Sequence, residues 1–238
     1  MNDKLVERIN TIIEKYKDIP ILNKLYFDTT FTTDIPEVKN KKNVKFAKKY
    51  IGDYLNFNDI NNSCILNFAS AKHAGGGVLR GSIAQEEDIC RNSLLYLYLN
   101  QFTETHYNNN LFKIGNFYQD FIIFSKDVPT VDKSYNLKNN NCYITSAAPN
   151  LSSSAEYDKN VYEETMNKRI KAVLAVAYQN KCKDLILGAW GCGVFKNNPK
   201  KVAKYFKNNL DLYGGNFDKI TFLIPDEKNL NIFKEILK

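Results

Sequence analysis

Two adjacent carboxylates stand in "GGGVLRGSIAQEED", residues 75–88. Glu86 and Glu87 repel each other, and repulsion helps one of two neighbouring carboxyls keep its proton near neutral pH. Such a pair suits acid–base chemistry. The glutamates are expected at the start of a helix, where adjacent residues point about 100° apart. They can therefore touch one ligand from different sides but cannot do the same job. An acidic first turn also favours the helix dipole, which is the plainer reading of "QEED" taken alone. The upstream glycines Gly75, Gly76 and Gly77 shift that balance. They are poor helix or strand interior and allow positive φ, or a backbone pressed against a ligand.

A second glycine stretch, "GAWGCGVFKNNP", follows an apolar strand-like run and precedes a helix-like one. Glycines there let backbone N–H groups approach a ligand, and a helix N-terminus adds positive partial charge. Together they suit a phosphate or diphosphate. A tight strand–helix turn explains the same residues. The stretch has no GK[ST] and does not match GxGxxG, so neither a P-loop nor a dinucleotide fingerprint is present. Asn67 and Ser70 end the strand before the first glycines, where polar tips can hold hydroxyls. Phe195 sits where an aromatic can stack on a sugar or base.

The elements that must position these residues alternate along the chain. "SCILNFAS", "FYQDFIIFSKDVPTV", "CYITSAAPN", "DLILGAWGCG" and "ITFLIPD" read as strands, the second ending in a proline loop. Helical spacing marks "ERINTIIEKYK", the segment Val44 to Tyr54, and "QEEDICRNSLLYLYLNQF". "YEETMNKRIKAVLAVAYQNKC" is helical too, with Ile170, Val173, Leu174 and Ala177 on one face. "NNPKKVAKYFKNNL" has Asn198 as N-cap and Pro199 at the first helical position, and "EKNLNIFKEILK" closes the chain. The Asn-rich patches "HYNNN" and "NLKNNN" read as loops. This alternation argues for a layered α/β domain with a parallel or mixed sheet covered on both faces. Ligands of such sheets bind beyond the carboxyl ends of strands, and both glycine stretches stand there.

The totals agree with a globular enzyme-sized domain. The chain has 238 residues, 44% hydrophobic and 25% charged, with no apolar run of membrane-spanning length. The charged, amphipathic N-terminus lacks a signal peptide's apolar region, so a cytoplasmic protein is expected. Five scattered cysteines form no CxxC pair, and with two histidines they make no metal-ligand spacing. No cofactor and no metal are expected. The net charge of +7 comes from lysines spread along the chain, so a nucleic-acid partner is allowed but unsupported.

The combined stretch "LNFASAKHAGGGVLRGSIAQEEDICRNSLLY" resembles the signature of microbial poly(ADP-ribose) glycohydrolases: GGG, a spacer of six to eight residues, then QEE. "FIIFSKDVP", "YITSAAPN" and "GAWGCGVFKNNPKKVA" are similar to later blocks of that family in the same order. The resemblance runs from about Lys45 to Phe222. It implies a macrodomain-like three-layer α/β/α sandwich with a mixed central sheet, here a core over residues 43–238 with an N-terminal helical extension over 1–42. It also implies roles. Glu87 would be the catalytic acid, and Glu86 would hold the ribose hydroxyls flanking the scissile bond. Gly75, Gly76, Gly77 and Val78 would shape the loop around the diphosphate and that ribose. Gly191, Cys192, Gly193, Val194 and Phe195 would form the second diphosphate loop, with Phe195 on the terminal ribose. Asn67 and Gln85 count among the substrate-binding residues. Where the family often has proline before GGG, this chain has Ala74.

The activity so implied is hydrolysis of ribose–ribose O-glycosidic bonds, mainly from chain ends, in poly(ADP-ribose) or ADP-ribosylated protein. ADP-ribose would be the product, and a monomer with no membrane partner is expected. The bond is an acetal, so one carboxylic acid can protonate the leaving alcohol and then, as carboxylate, activate water. Removal of single ADP-ribose units, and binding of ADP-ribose without cleavage, are the alternatives. Two intact glutamates argue against the second.

Overall fold

The computed structural model describes residues 2–27, 34–39, 42–57, 62–108, 117–152 and 156–238. Among these residues seven strands form one mixed sheet: β1 (Leu22–Phe27), β2 (Val44–Ala47), β3 (Ser63–Phe68), β4 (Phe121–Val131), β5 (Leu137–Ser146), β6 (Asp184–Leu187) and β7 (Lys219–Leu223). Their order is β1-β4-β5-β3-β6-β7-β2. The pairs β1–β4 and β4–β5 are antiparallel, and every pair from β5 across to β2 is parallel. Five neighbouring strands therefore end on the same edge.

Among the described residues seven α-helices cover the sheet: α1 (Asp3–Tyr16), α2 (Ile51–Phe57), α3 (Gln85–Arg91), α4 (Leu95–Asn100), α5 (Lys159–Gln179), α6 (Pro199–Tyr213) and α7 (Glu227–Leu237). Successive strand residues face opposite sides, and β3 shows the consequence. Cys64 and Leu66 enter the core under α5, α6 and α7. Ile65 enters the core under α1 to α4. A strand buried on both faces reads as a continuous apolar run, which is why "SCILNFAS" was legible. The three layers are the expected α/β/α sandwich. No described helix is long and apolar enough to cross a membrane.

Several local expectations change. Residues 1–42 hold more than a helical extension, because β1 is hydrogen-bonded to β4 at the sheet's edge. Val44 to Tyr54 is not one helix. Val44 to Ala47 pair with β7, where Phe46 stacks on Phe222 at 5.7 Å, and the helix begins only at Ile51. From Leu137 on, "NLKNNN" is the first part of β5 rather than a loop, since its backbone pairs with β4 while most of its side chains stay exposed. Composition reports side chains, and here the backbone decides. Pro129 lies within β4, at a register shift where a missing N–H is tolerated. Of "HYNNN", His106 and Tyr107 close a short π-helical turn; Asn109 and Asn110 lie outside the described residues. The expected N-cap at Asn198 is present, its side chain accepting from the N–H groups of Lys200 and Lys201.

Candidate active site

The carboxyl ends of β5, β3, β6 and β7 open onto a cleft of about 580 Å³. Its walls include Phe68 at the end of β3 and Ser70 after it, Ala148 after β5, Ala189 after β6 and Ile224 after β7. Both glycine stretches line it, so the two motifs converge on one crevice.

Helix α3 begins at Gln85, as expected, and its start is fastened to β3. The Gln85 amide donates to the Leu66 carbonyl at 2.9 Å and accepts from the Phe68 N–H at 2.9 Å. Gln85 thus closes the strand edge like one more backbone unit. The next two residues are then carried into the protein, and both glutamates are buried.

Glu86 is fixed at both oxygens. Asn67 Nδ2 donates to Oε1 at 3.1 Å, and the Ser70 N–H donates to Oε2 at 2.7 Å. Asn67 is itself held by Thr145 Oγ1 at 3.2 Å. Burial pushes the Glu86 carboxyl up to about 8; the two donors oppose that rise and the charge of Glu87 adds to it. Glu87 is held at one oxygen only. The Gly77 N–H donates to Oε1 at 2.7 Å, while Oε2 has no hydrogen-bond partner among the described residues.

Gly76 lies between the carboxylates. Its φ is +62°, and a Cβ there would stand 2.5 Å from Glu87 Oε1 and 3.0 Å from Glu86 Oε2. Only glycine brings the backbone this close. Gly75 and Gly77 are buried beside it. The Val78 side chain points away from the cleft into the core under α1 to α4; what Val78 adds is a turn, its N–H bonded to the Gly75 carbonyl at 3.2 Å.

The second loop is anchored from beneath. Trp190 is fully buried, and its Nε1 donates to the Ser146 carbonyl at 3.2 Å. Gly191 has φ +72° and leaves no space for a Cβ against Asn197 and Ala148. Asn197 Nδ2 donates to the carbonyls of Pro149 at 2.8 Å and Gly191 at 3.0 Å, and its Oδ1 accepts from Tyr162. Cys192, Gly193, Val194 and Phe195 then line the cleft. Gly193 and Val194 are open to solvent, and burial pushes the Cys192 thiol up to about 12. Phe195 packs near Tyr118, ring centroids 6.2 Å apart. That region is held by Arg169, buried on α5, which donates to Asp120 at 2.6 Å and to the carbonyls of Ala147 and Tyr118 at 2.9 and 3.0 Å.

Sequence reasoning named the glutamates, both loops and, as substrate-binding residues, Asn67 and Gln85, which hold Glu86 and the start of α3; it missed the anchors of the second loop. Nothing in the spacing of Asn197 or Arg169 marks either as an anchor. It also missed Tyr50, Arg80, Asp226 and Asn229 on the cleft wall. The "IPD" before the last helix carried a signal, and Asp226 is indeed its N-cap, accepting from the Asn229 N–H. Among the described residues no group of three or more His, Cys, Asp or Glu is placed to hold a metal ion.

The arrangement offers one fixed carboxyl, one carboxyl with a free oxygen, and two backbone loops facing them. Such a site can protonate a leaving oxygen and hold an anionic, hydroxyl-rich ligand. Residues 6–133 match the family model of the microbial-type PARG catalytic domain. The match takes in most of α1 and all of β1, which lie before the motif resemblance. No curated protein matches the sequence. The fold is similar to that of poly(ADP-ribose) glycohydrolase from Deinococcus radiodurans in complex with ADP-ribose, at 29% identity and TM-score 0.76, over 95% of this chain and 97% of that one. It is also similar to poly(ADP-ribose) glycohydrolase from Thermomonospora curvata bound to the inhibitor ADP-HPD, at 27% identity and TM-score 0.75, over 96% of this chain and 88% of that one. A family match over more than half the chain, with the GGG and QEE blocks on one cleft, places the chain in the microbial-type PARG catalytic-domain family.

Proposed function

We propose that this chain is a poly(ADP-ribose) glycohydrolase that cuts ribose–ribose O-glycosidic bonds, mainly from chain ends, and releases ADP-ribose. One observation carries the reading: two buried glutamates share a glycine loop, and one of them keeps an unpartnered oxygen beside a cleft. The solved relatives that bind ADP-ribose and ADP-HPD support it. The cleft's volume of about 580 Å³ suits a single unit, as a chain end presents.

In this reading the diphosphate lies against the N–H groups of residues 191–195, and Phe195 packs on the terminal ribose. Glu86, held at both oxygens, takes the ribose hydroxyls beside the scissile bond. Burial keeps Glu86 protonated up to about pH 8. Glu87 donates a proton through its unpartnered Oε2 to the departing ribose oxygen as the glycosidic bond breaks. Water then adds to the oxocarbenium-like carbon and returns a proton to Glu87. The balance is one water consumed and two hydroxyls formed. The chain's residues do this as a single catalytic domain and a monomer, in the cytoplasm.

The test is release of ADP-ribose from automodified poly(ADP-ribosyl)ated protein by the purified protein. Free ADP-ribose accumulating with time supports the reading. Binding of ADP-ribose with no release from polymer would replace it with a single-unit hydrolase or a reader.

A further inference from the structure

The spacer between GGG and QEE carries a cation that the reaction described above leaves unused. Arg80 is exposed, lines the cleft and has no ion-pair partner among the described residues. Its backbone N–H donates to the Gly77 carbonyl at 2.9 Å, and the Gly77 N–H in turn donates to Glu87. These bonds tie the Arg80 backbone to the turn that holds Glu87. The flank of Glu86 is taken by Asn67 and Ser70. Ile83, 74% exposed, lines the cleft from the same spacer.

The leaving oxygen takes its proton from Glu87, so the departing unit extends past that carboxylate. In poly(ADP-ribose) the departing oxygen belongs to a ribose whose 5′ carbon bears the next diphosphate, a few bonds away. A guanidinium binds such an anion with two parallel N–H donors. We infer that Arg80, with Ile83 against the sugar or base, forms a leaving-side subsite for the diphosphate of the penultimate unit. This rests on the hydrolase reading, and it makes the spacer a determinant of polymer over leaving groups that carry no phosphate.

The experiment compares two substrates with the same bond: an ADP-ribose dimer, and ADP-ribose joined through the same linkage to adenosine, which lacks the leaving-side diphosphate. The expected wild-type preference in kcat/KM is about tenfold for the dimer, the size of one charge-assisted hydrogen-bonded contact. In Arg80→Ala the ratio should fall toward one, and Arg80→Lys should restore part of it. An Arg80→Ala ratio equal to the wild-type ratio would overturn the inference while leaving the hydrolase reading intact. So would equal wild-type rates on both substrates. Cleavage of neither by wild type would overturn both.

Discussion

The two glutamates differ by their partners, although they are neighbours on one short helix. Glu86 has two donors and a proton held by burial; Glu87 has one donor and one free oxygen. Two expectations separate them. Turnover should fall as pH rises through about 8, when Glu86 ionises and adds a buried charge beside the scissile bond. A profile flat from pH 6 to 9 would contradict that role for Glu86. Stability should respond as well. The folded protein holds a Glu86 proton up to about 8 against an ordinary value of 4.5, so it binds more protons than the unfolded chain between those values. Stability from this group is therefore full below about 4.5 and lost as pH rises through about 8. Glu86→Gln removes that slope, and its melting temperature should gain on wild type from pH 5 to pH 9. A constant gap would speak against a buried, raised carboxyl. Gly76→Val tests the loop. The sequence suggested that the glycine leaves space for ligand, whereas the structure puts the space against Glu87 and Glu86. The substitution should displace the carboxylates, at positive φ besides, and cost about 10²-fold in turnover. A near-normal rate would refute the packing.

At the scale of elements, motifs on continuous buried strands and capped helices were legible, because apolar runs and N-cap residues leave marks in the sequence. Those resting on backbone pairing were not: β1, and the Asn-rich half of β5. The break between α3 and α4 was equally silent. There the Leu94 N–H turns to the Pro129 carbonyl and Ser93 bridges Thr130, so the helix yields to a contact with β4. The supports of the second loop were also hidden, since a single buried arginine on α5 binds groups more than twenty residues away along the chain. Arg169→Met should therefore cost about 3–5 kcal/mol, the range for breaking a buried charge network, measured by denaturant unfolding. It should also weaken ADP-ribose binding through Tyr118 and Phe195. A loss below about 1 kcal/mol would mean that the network relaxes around the gap.

For the whole molecule, the sheet order decides where chemistry can happen. Five neighbouring strands from β5 to β2 run parallel, so their carboxyl ends share one edge and the loops that follow them share one cleft. That much was legible from alternating strands and helices. What was not legible is that residues before the motifs belong to the same family match and sheet. The central claim is that Glu87 performs proton transfer in a site that otherwise binds its product normally. The most direct measurement pairs wild type with Glu87→Ala, following ADP-ribose release from poly(ADP-ribosyl)ated protein and, separately, ADP-ribose binding by calorimetry. The account predicts a loss of release of about 10²–10⁴-fold with affinity retained. Release by Glu87→Ala at the wild-type rate would contradict it.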